Sequence, residues 1–261
     1  MLLVAAVVFI GASLDGRGTR EAVGERRSAT SGDLEIAYYD GGAGEPVVLL
    51  ASWARPVSDF NELALALQAA GYRTLAVESR GIGGSEGGGP FVEVSLGDLA
   101  ADVAAVLDAS ALEEDTRVTV AGHAFGNQIA RTFASQNPSR TAGVVLVAAG
   151  GRAKVPDELV EALFVSSLGF LPESWREPAL RRAFFAEGSD IPDHWKTGWS
   201  LWGGLAQDGA VRADDAVDFW GAGGVPMLVF QAAAQFEHWT GLDAPVDSMM
   251  AAARAAIGSP T

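Results

Sequence analysis

From Leu34 onward, short apolar runs alternate with stretches whose apolar positions recur at helical spacing. That alternation predicts stacked βα units and a mostly parallel sheet. Six strands are expected, at Leu34 to Tyr39, Pro46 to Ala51, Arg73 to Glu78, Arg117 to Ala121, Ala142 to Ala149 and Val225 to Gln231. Pro46 to Ala51 is apolar throughout, the mark of a strand buried on both faces. Asp59 to Ala70 reads as a helix with Leu63, Leu65, Leu67 and Ala70 inward and Gly71 as its stop. Ser95 caps a helix that runs to Ser110, with Leu96, Leu99, Val103 and Val106 on one face. Asn127 to Asn137 is a third helix, and Pro245 to Ile257 an alanine-rich fourth. Between residues 150 and 224 the pattern turns helical and aromatic without strand alternation, which predicts an insertion placed where a lid would sit.

These patterns divide the chain into four parts. Residues 1–28 form an apolar, signal-like segment and a polar linker; 29–149 are the first part of an α/β core; 150–224 are a helical lid; 225–261 are a truncated second part of the core. Met1 to Ile10 is apolar and ends at Gly11-Ala12-Ser13, like the core and cleavage region of a secretory signal, and it is too short for a stable membrane span. No basic residue precedes it, so export, a cropped start and a strand-like core segment all stay open.

Composition narrows the partners. Apolar residues make up 49% of the 261 and charged residues 20%, as in an ordinary globular protein. The formal net charge of −15 repels phosphates, so nucleic acid and anionic lipid are poor partners and a small apolar or neutral molecule fits better. The absence of cysteine excludes a thiol nucleophile, disulfides and thiolate metal sites. No two of the three histidines fall at ligand spacing, so no metal site is expected. The run Gly81-Ile82-Gly83-Gly84-Ser85-Glu86 invites a dinucleotide reading, but Glu86 takes the third glycine's place and no helix opens from it, so no cofactor is expected either.

Residues 117 to 131 read Arg-Val-Thr-Val-Ala-Gly-His-Ala-Phe-Gly-Asn-Gln-Ile-Ala-Arg, a strand, sharp turn and helix in which Gly122-His123-Ala124-Phe125-Gly126 follows a Gly-x-Ser-x-Gly nucleophile elbow. Together with Arg80-Gly81-Ile82-Gly83-Gly84-Ser85 after an earlier strand, and the order of elements, it makes residues 30–231 resemble the α/β-hydrolase superfamily. The resemblance implies a mostly parallel sheet of α/β-hydrolase type with an inserted helical lid, here lacking the last strand and helix. It puts Gly122 and Gly126 in the turn, a packed structural His123 beside them, and Arg80 and Ser85 in roles that fix their loop. It also places two oxyanion donors at the backbone N–H groups of Trp53 and Phe125, with the Ser52 hydroxyl alongside.

The same resemblance leaves the catalytic places empty. Ala124 stands where the nucleophile belongs, and its methyl can neither lose a proton nor attack a carbonyl. Gln235 holds the place of the triad acid, and the chain ends before the loop that would bring the histidine. His238, on a short loop at the carboxyl edge of the sheet, is the candidate base, set against a solvent-exposed loop histidine; His194 reads as a surface residue. The aromatic residues of the insertion, among them Trp175, Trp195, Trp199, Trp202 and Trp220, either line an apolar pocket or form the core of a helical layer.

Three functional readings stand. One is a hydrolase-derived binding protein that keeps an ester- or carbonyl-type pocket and has lost covalent catalysis. Another is an active hydrolase seen in an inactivated, frameshifted or truncated form. A third is cofactor-free lyase or oxygenase chemistry with His238 as base. Loss of the last strand would leave Val225 to Phe230 as an apolar sheet edge, which predicts self-association.

Overall fold

A computed structural model describes residues 16–89, 91–149, 156–186 and 188–213, and the backbone of 227–229. The signal-like stretch, Trp220, Gln235, His238 and the expected helix from Pro245 to Ile257 lie outside the described residues. The chain enters through β1 (Glu25–Ser31) and β2 (Leu34–Gly42), an antiparallel hairpin turned at Gly32, whose φ of 60° suits glycine. Here the structure corrects the sequence reading of residues 14–28 as a linker. Gly16 N–H donates to the Trp199 carbonyl at 2.9 Å, Gly198 N–H donates to the Arg17 carbonyl at 2.8 Å, and the Arg20 guanidinium donates to Glu62. Only Ala29 of β1 is buried, so the strand carries little apolar signal, and its pairing comes from residues that local polarity does not reveal.

The chain continues through β3 (Glu45–Leu50), a 3-10 turn (Val57–Phe60), α1 (Asn61–Ala69), β4 (Tyr72–Val77), α2 (Leu96–Ala109), β5 (Val118–His123), α3 (Gly126–Gln136) and β6 (Thr141–Val147). Four helices follow: α4 (Asp157–Ser167), α5 (Glu173–Phe184), α6 (Asp193–Lys196) and α7 (Leu201–Ala213). They fall within the segment read as an insertion, before β7 (Met227–Val229). The seven strands among the described residues lie in the order β1-β2-β4-β3-β5-β6-β7. The first two joins are antiparallel, and from β4 across to β7 every join is parallel.

Alternation along the central strands builds a core on both faces. Val48 and Leu50 of β3 join Leu75, Val77, Val118 and Val120 beneath α2 and α3, whereas Val47 and Leu49 join Ala76, Ala121, Val57 and Ala64 on the other side. Helix α2 is held at its start by a capping box: Ser95 Oγ accepts from Asp98 N–H at 3.0 Å, and Asp98 accepts from Ser95 N–H at 2.8 Å. Helix α1 differs from the expectation. Of its residues only Ala64 is buried, while Leu63 and Leu65 are 40% and 55% exposed and Ala70 lies on the surface. Residues two apart point to different sides of a helix, so Leu63, Leu65 and Leu67 could not share a face; Phe60, Ala64 and Leu67 do.

Arg55 ties the helical segment to the sheet and is 1% exposed. Its Nε and one terminal nitrogen donate to the two oxygens of Asp59 at 2.7 Å each. The same guanidinium donates to the carbonyls of Thr197 and His194, at 2.7 and 2.8 Å, and stacks between Trp195 and Trp199 with its carbon 4.9 and 4.6 Å from the ring centres. Trp195 and Trp199 pack in turn on Phe184, at 4.9 and 5.5 Å between ring centres. Phe184, Trp195 and Trp199 therefore pack on one another and on Arg55, whereas Trp175 and Phe164 are exposed.

Glu78, just beyond β4, is buried, and its Oε2 accepts from the Val57 N–H at 3.1 Å. Burial pushes its carboxyl up to about 8, the Val57 bond and Arg26 opposing and Asp59 adding to the shift. A carboxyl protonated in the fold and ionised in the unfolded chain makes the native state bind the extra proton. Its contribution is complete below 4.5 and is lost as the pH rises through about 8.

Two outcomes are expected. Arg55→Met should cost about 3–5 kcal/mol, because Asp59 is left buried without its partner, and should speed amide exchange across 193–213. A loss below about 1 kcal/mol in urea melts would show that the pair is dispensable. Glu78→Gln should become more stable relative to the unaltered protein as the pH is raised from 5 to 8, by roughly 1 kcal/mol per pH unit. A difference that does not vary with pH in the same melts would refute the buried acid.

Candidate functional site

β5 delivers residues 122–126 to a turn in which Ala124 adopts φ of 48°, a left-handed conformation that costs a residue with a Cβ roughly 1–2 kcal/mol. Neighbours hold it there. Ala124 N–H donates to the Val147 carbonyl at 2.9 Å and its carbonyl accepts from Asn127 N–H at 3.1 Å. The buried Asn127 carboxamide locks the same strand end, donating to Val147 O at 2.8 Å and accepting from Val147 N–H at 3.2 Å. The two glycines are required by close approach: a Cβ on Gly122 would collide with the Gly126 carbonyl, and one on Gly126 with the Leu50 carbonyl. The elbow is thus pressed against the end of β3. Phe125 is buried at the start of α3.

His123 lies on the sheet face that carries the 3-10 turn, its ring edge-on to Phe60 at 6.4 Å between centres. Burial pushes its imidazole down, Asp59 pulling the other way, so the ring is neutral at pH 7.

Beyond β3, Ser52 and Trp53 are buried, at 2% and 7% exposure, and Ala54 takes φ of 56°. Together with Ala148, at φ 49°, three alanines in left-handed conformation stand just beyond β3, β5 and β6. This is the carboxyl edge, where open α/β sheets bind ligands. Helix α7 crosses the first of these loops. Trp53 Nε1 donates to the Gly204 carbonyl at 2.9 Å, Ala54 N–H donates to Gln207 Oε1 at 2.7 Å, and Ser200 N–H donates to the Ala54 carbonyl at 3.0 Å. A side chain on Gly204 would press on the Trp53 ring. Gln207, Gly204 and Ser200 were not singled out from the sequence. The signal was present in Gln207, the one residue with a hydrogen-bonding side chain among the buried positions Gly203, Gly204, Ala206, Gln207 and Ala210 of α7.

Arg80 points to the opposite side of its loop. It forks onto Asp102 of α2 at 2.7 and 2.8 Å, and Ser31 Oγ donates to the same carboxylate at 2.7 Å. The hydrogen bond from Arg80 to Asp102, against the opposing effect of burial, holds the guanidinium pKa above its usual value. Ser85 Oγ donates to the Glu78 carbonyl and accepts from Ala37 N–H, both at 2.9 Å. His194 contributes its carbonyl to Arg55, and burial lowers its ring pKa. A cavity of about 10 Å³ between Leu50 and Ile129 has room for one water and not for an organic ligand. Among the described residues no three of His, Asp and Glu cluster as a metal would need, and no helix is long and apolar enough to cross a membrane.

Known proteins match the chain in two separate stretches. The family model described as serine aminopeptidase, S33 covers residues 46–184, and the model of the shikimate 5'-dehydrogenase C-terminal domain covers residues 224–254. Epoxide hydrolase B of Mycobacterium tuberculosis is 36% identical over 102 residues, 39% of this chain and 28% of that protein. Shikimate dehydrogenase (NADP(+)) of Methanothrix thermoacetophila is 69% identical over 35 residues, 13% of each chain. The chain therefore spans well under half the length of these curated relatives. The second stretch includes both Gln235 and His238. Among solved structures, a probable hydrolytic enzyme of Pseudomonas aeruginosa superposes with a TM-score of 0.62 at 21% identity, over 83% of this chain and 76% of that one, a likeness of fold. With the first family model matching more than half of the residues, and with this sheet, elbow and strand order, the chain belongs to the α/β-hydrolase superfamily, in the family described as serine aminopeptidase, S33.

Proposed function

We propose that this chain is a hydrolase-fold protein that binds a small neutral or apolar molecule with an ester- or carbonyl-type oxygen and is impaired in covalent catalysis. One observation carries the reading: the strained turn of the elbow is kept in full, and the side chain at its tip is the methyl of Ala124. Strain of this kind persists only where surrounding contacts over-determine it, as Val147, Asn127 and the two glycines do here. The backbone N–H groups of Trp53 and Phe125 are the proposed oxyanion donors, with Ser52 beside them. Backbone donors survive loss of the nucleophile, and each is worth about 3–4 kcal/mol when charge develops on a bound oxygen.

A second reading is favoured by a separate observation. The stretch 224–254 matches a family other than the one matched at 46–184, and it holds the two positions, Gln235 and His238, to which the hydrolase resemblance assigns the acid and the base. In this reading the chain derives from an active hydrolase of esters or related molecules whose acid and histidine belong to sequence that residues 224–254 have replaced. The gene of origin, read through codons 124 and 214–261, distinguishes a natural junction from an artificial one.

Hydrolysis of 4-nitrophenyl acetate tests the first reading. The unaltered protein should show no saturable turnover. Ala124→Ser should not restore it, since triad groups act as a unit and loss of either the serine or the histidine of a serine protease costs about 10⁶-fold in kcat. Saturable turnover by either protein at about 1 s⁻¹ or faster, the lower end of ordinary enzymes, would overturn the reading.

A further inference from the structure

Gln207 is 1% exposed, and its two polar arms are in different situations. Oε1 accepts from Ala54 N–H at 2.7 Å, which fixes the orientation of the carboxamide, because the reverse orientation would set two donors against each other. Nε2, on the other arm of the same group, is shielded from solvent and has no hydrogen-bond partner. Buried amide donors are ordinarily paired, and leaving one without an acceptor is a cost that a fold carries only where something else answers it.

The surroundings indicate what that is. Gln207 is bound to the residue after Trp53, on the loop assigned an oxyanion donor, and it belongs to the face of α7 on which the Trp53 indole is anchored through Gly204. The buried Ser52 hydroxyl stands on the same loop. An apolar indole wall on the same helix face as one amide donor without an acceptor suits a molecule with an apolar body and one acceptor oxygen. The net charge of −15 favours a neutral oxygen over a carboxylate.

We propose that the side-chain amide of Gln207 is a ligand-binding donor, which hydrogen-bonds through Nε2 to the neutral carbonyl or ether oxygen of a small apolar molecule seated against α7 where it meets the Ser52-Trp53-Ala54 loop. This rests on the binding-protein reading above and adds to it the residue that selects for an acceptor oxygen. Oε1 keeps the loop in its left-handed conformation at Ala54 while Nε2 reads the ligand, so a single side chain both shapes and recognises.

Two probes of similar shape, methyl benzoate with an acceptor oxygen and propylbenzene without one, separate the possibilities. In the unaltered protein methyl benzoate should shift the Gln207 side-chain NH₂ resonances and propylbenzene should not. In Gln207→Met the dissociation constant for methyl benzoate should rise about tenfold, while that for propylbenzene stays within roughly twofold. If methyl benzoate binds, the Gln207 resonances stay in place and Gln207→Met binds both probes as before, the amide serves the loop or a buried water and the inference falls alone. If neither probe binds the unaltered protein, the pocket itself is refuted and the inference with it. Should Gln207→Met fail to fold, the resonance shifts in the unaltered protein decide.

Discussion

A guanidinium with almost no access to water holds the upper layer of this molecule on its sheet. Arg55 lies on the buried loop that leaves β3, and its donors reach Asp59 on one side and the carbonyls of His194 and Thr197 on the other. Removing such a charge from water is costly, and only a full set of acceptors and flanking aromatic faces makes it tolerable. The two carbonyl acceptors come from the segment just ahead of α7. Fixing that segment fixes α7, and α7 in turn sets the environment of Trp53 and Ala54 at the carboxyl edge.

A second constraint acts from below. The Asn127 carboxamide, hydrogen-bonded in both directions to Val147, joins the ends of β5 and β6 around the turn that contains Ala124, and two glycines let that turn close against Leu50. Neither device involves the side chain at the tip. The strained conformation therefore does not depend on a nucleophile being present, and an alanine can occupy it at the cost of the strain alone. Shape and side-chain chemistry are separable here, because the contacts that hold the turn are made by its backbone and its neighbours.

The sheet and the elbow were legible because their signals are local. A continuous apolar run marks a strand buried on both faces, and Gly-x-x-x-Gly across a strand-to-helix junction marks a turn with no room for Cβ atoms. Ser95 announced the start of α2, and the structure adds Asp98 as its capping partner. Elements whose stability comes from distant partners were not legible. β1 is almost wholly exposed and is defined by its register with β2, and residues 16–18 are held by the helical segment some 180 positions later. The inward face of α1 is formed by Ala64 and Leu67 with Phe60 before them, while Leu63 and Leu65 project to the surface, because residues two apart diverge on a helix.

By itself the sequence determined the class of the fold, the place of the sharp turn and the chemical silence of the residue at its tip, since periodicity, glycine spacing and residue identity are properties of the chain alone. Only the tertiary structure decided that Arg55 is buried against Asp59 and two tryptophans, that Arg80 serves Asp102, and that Gln207 from the far end of the insertion meets the loop after β3. Those outcomes depend on which groups are brought together and deprived of water, and a one-dimensional pattern does not record what a side chain will face once the chain has closed around it.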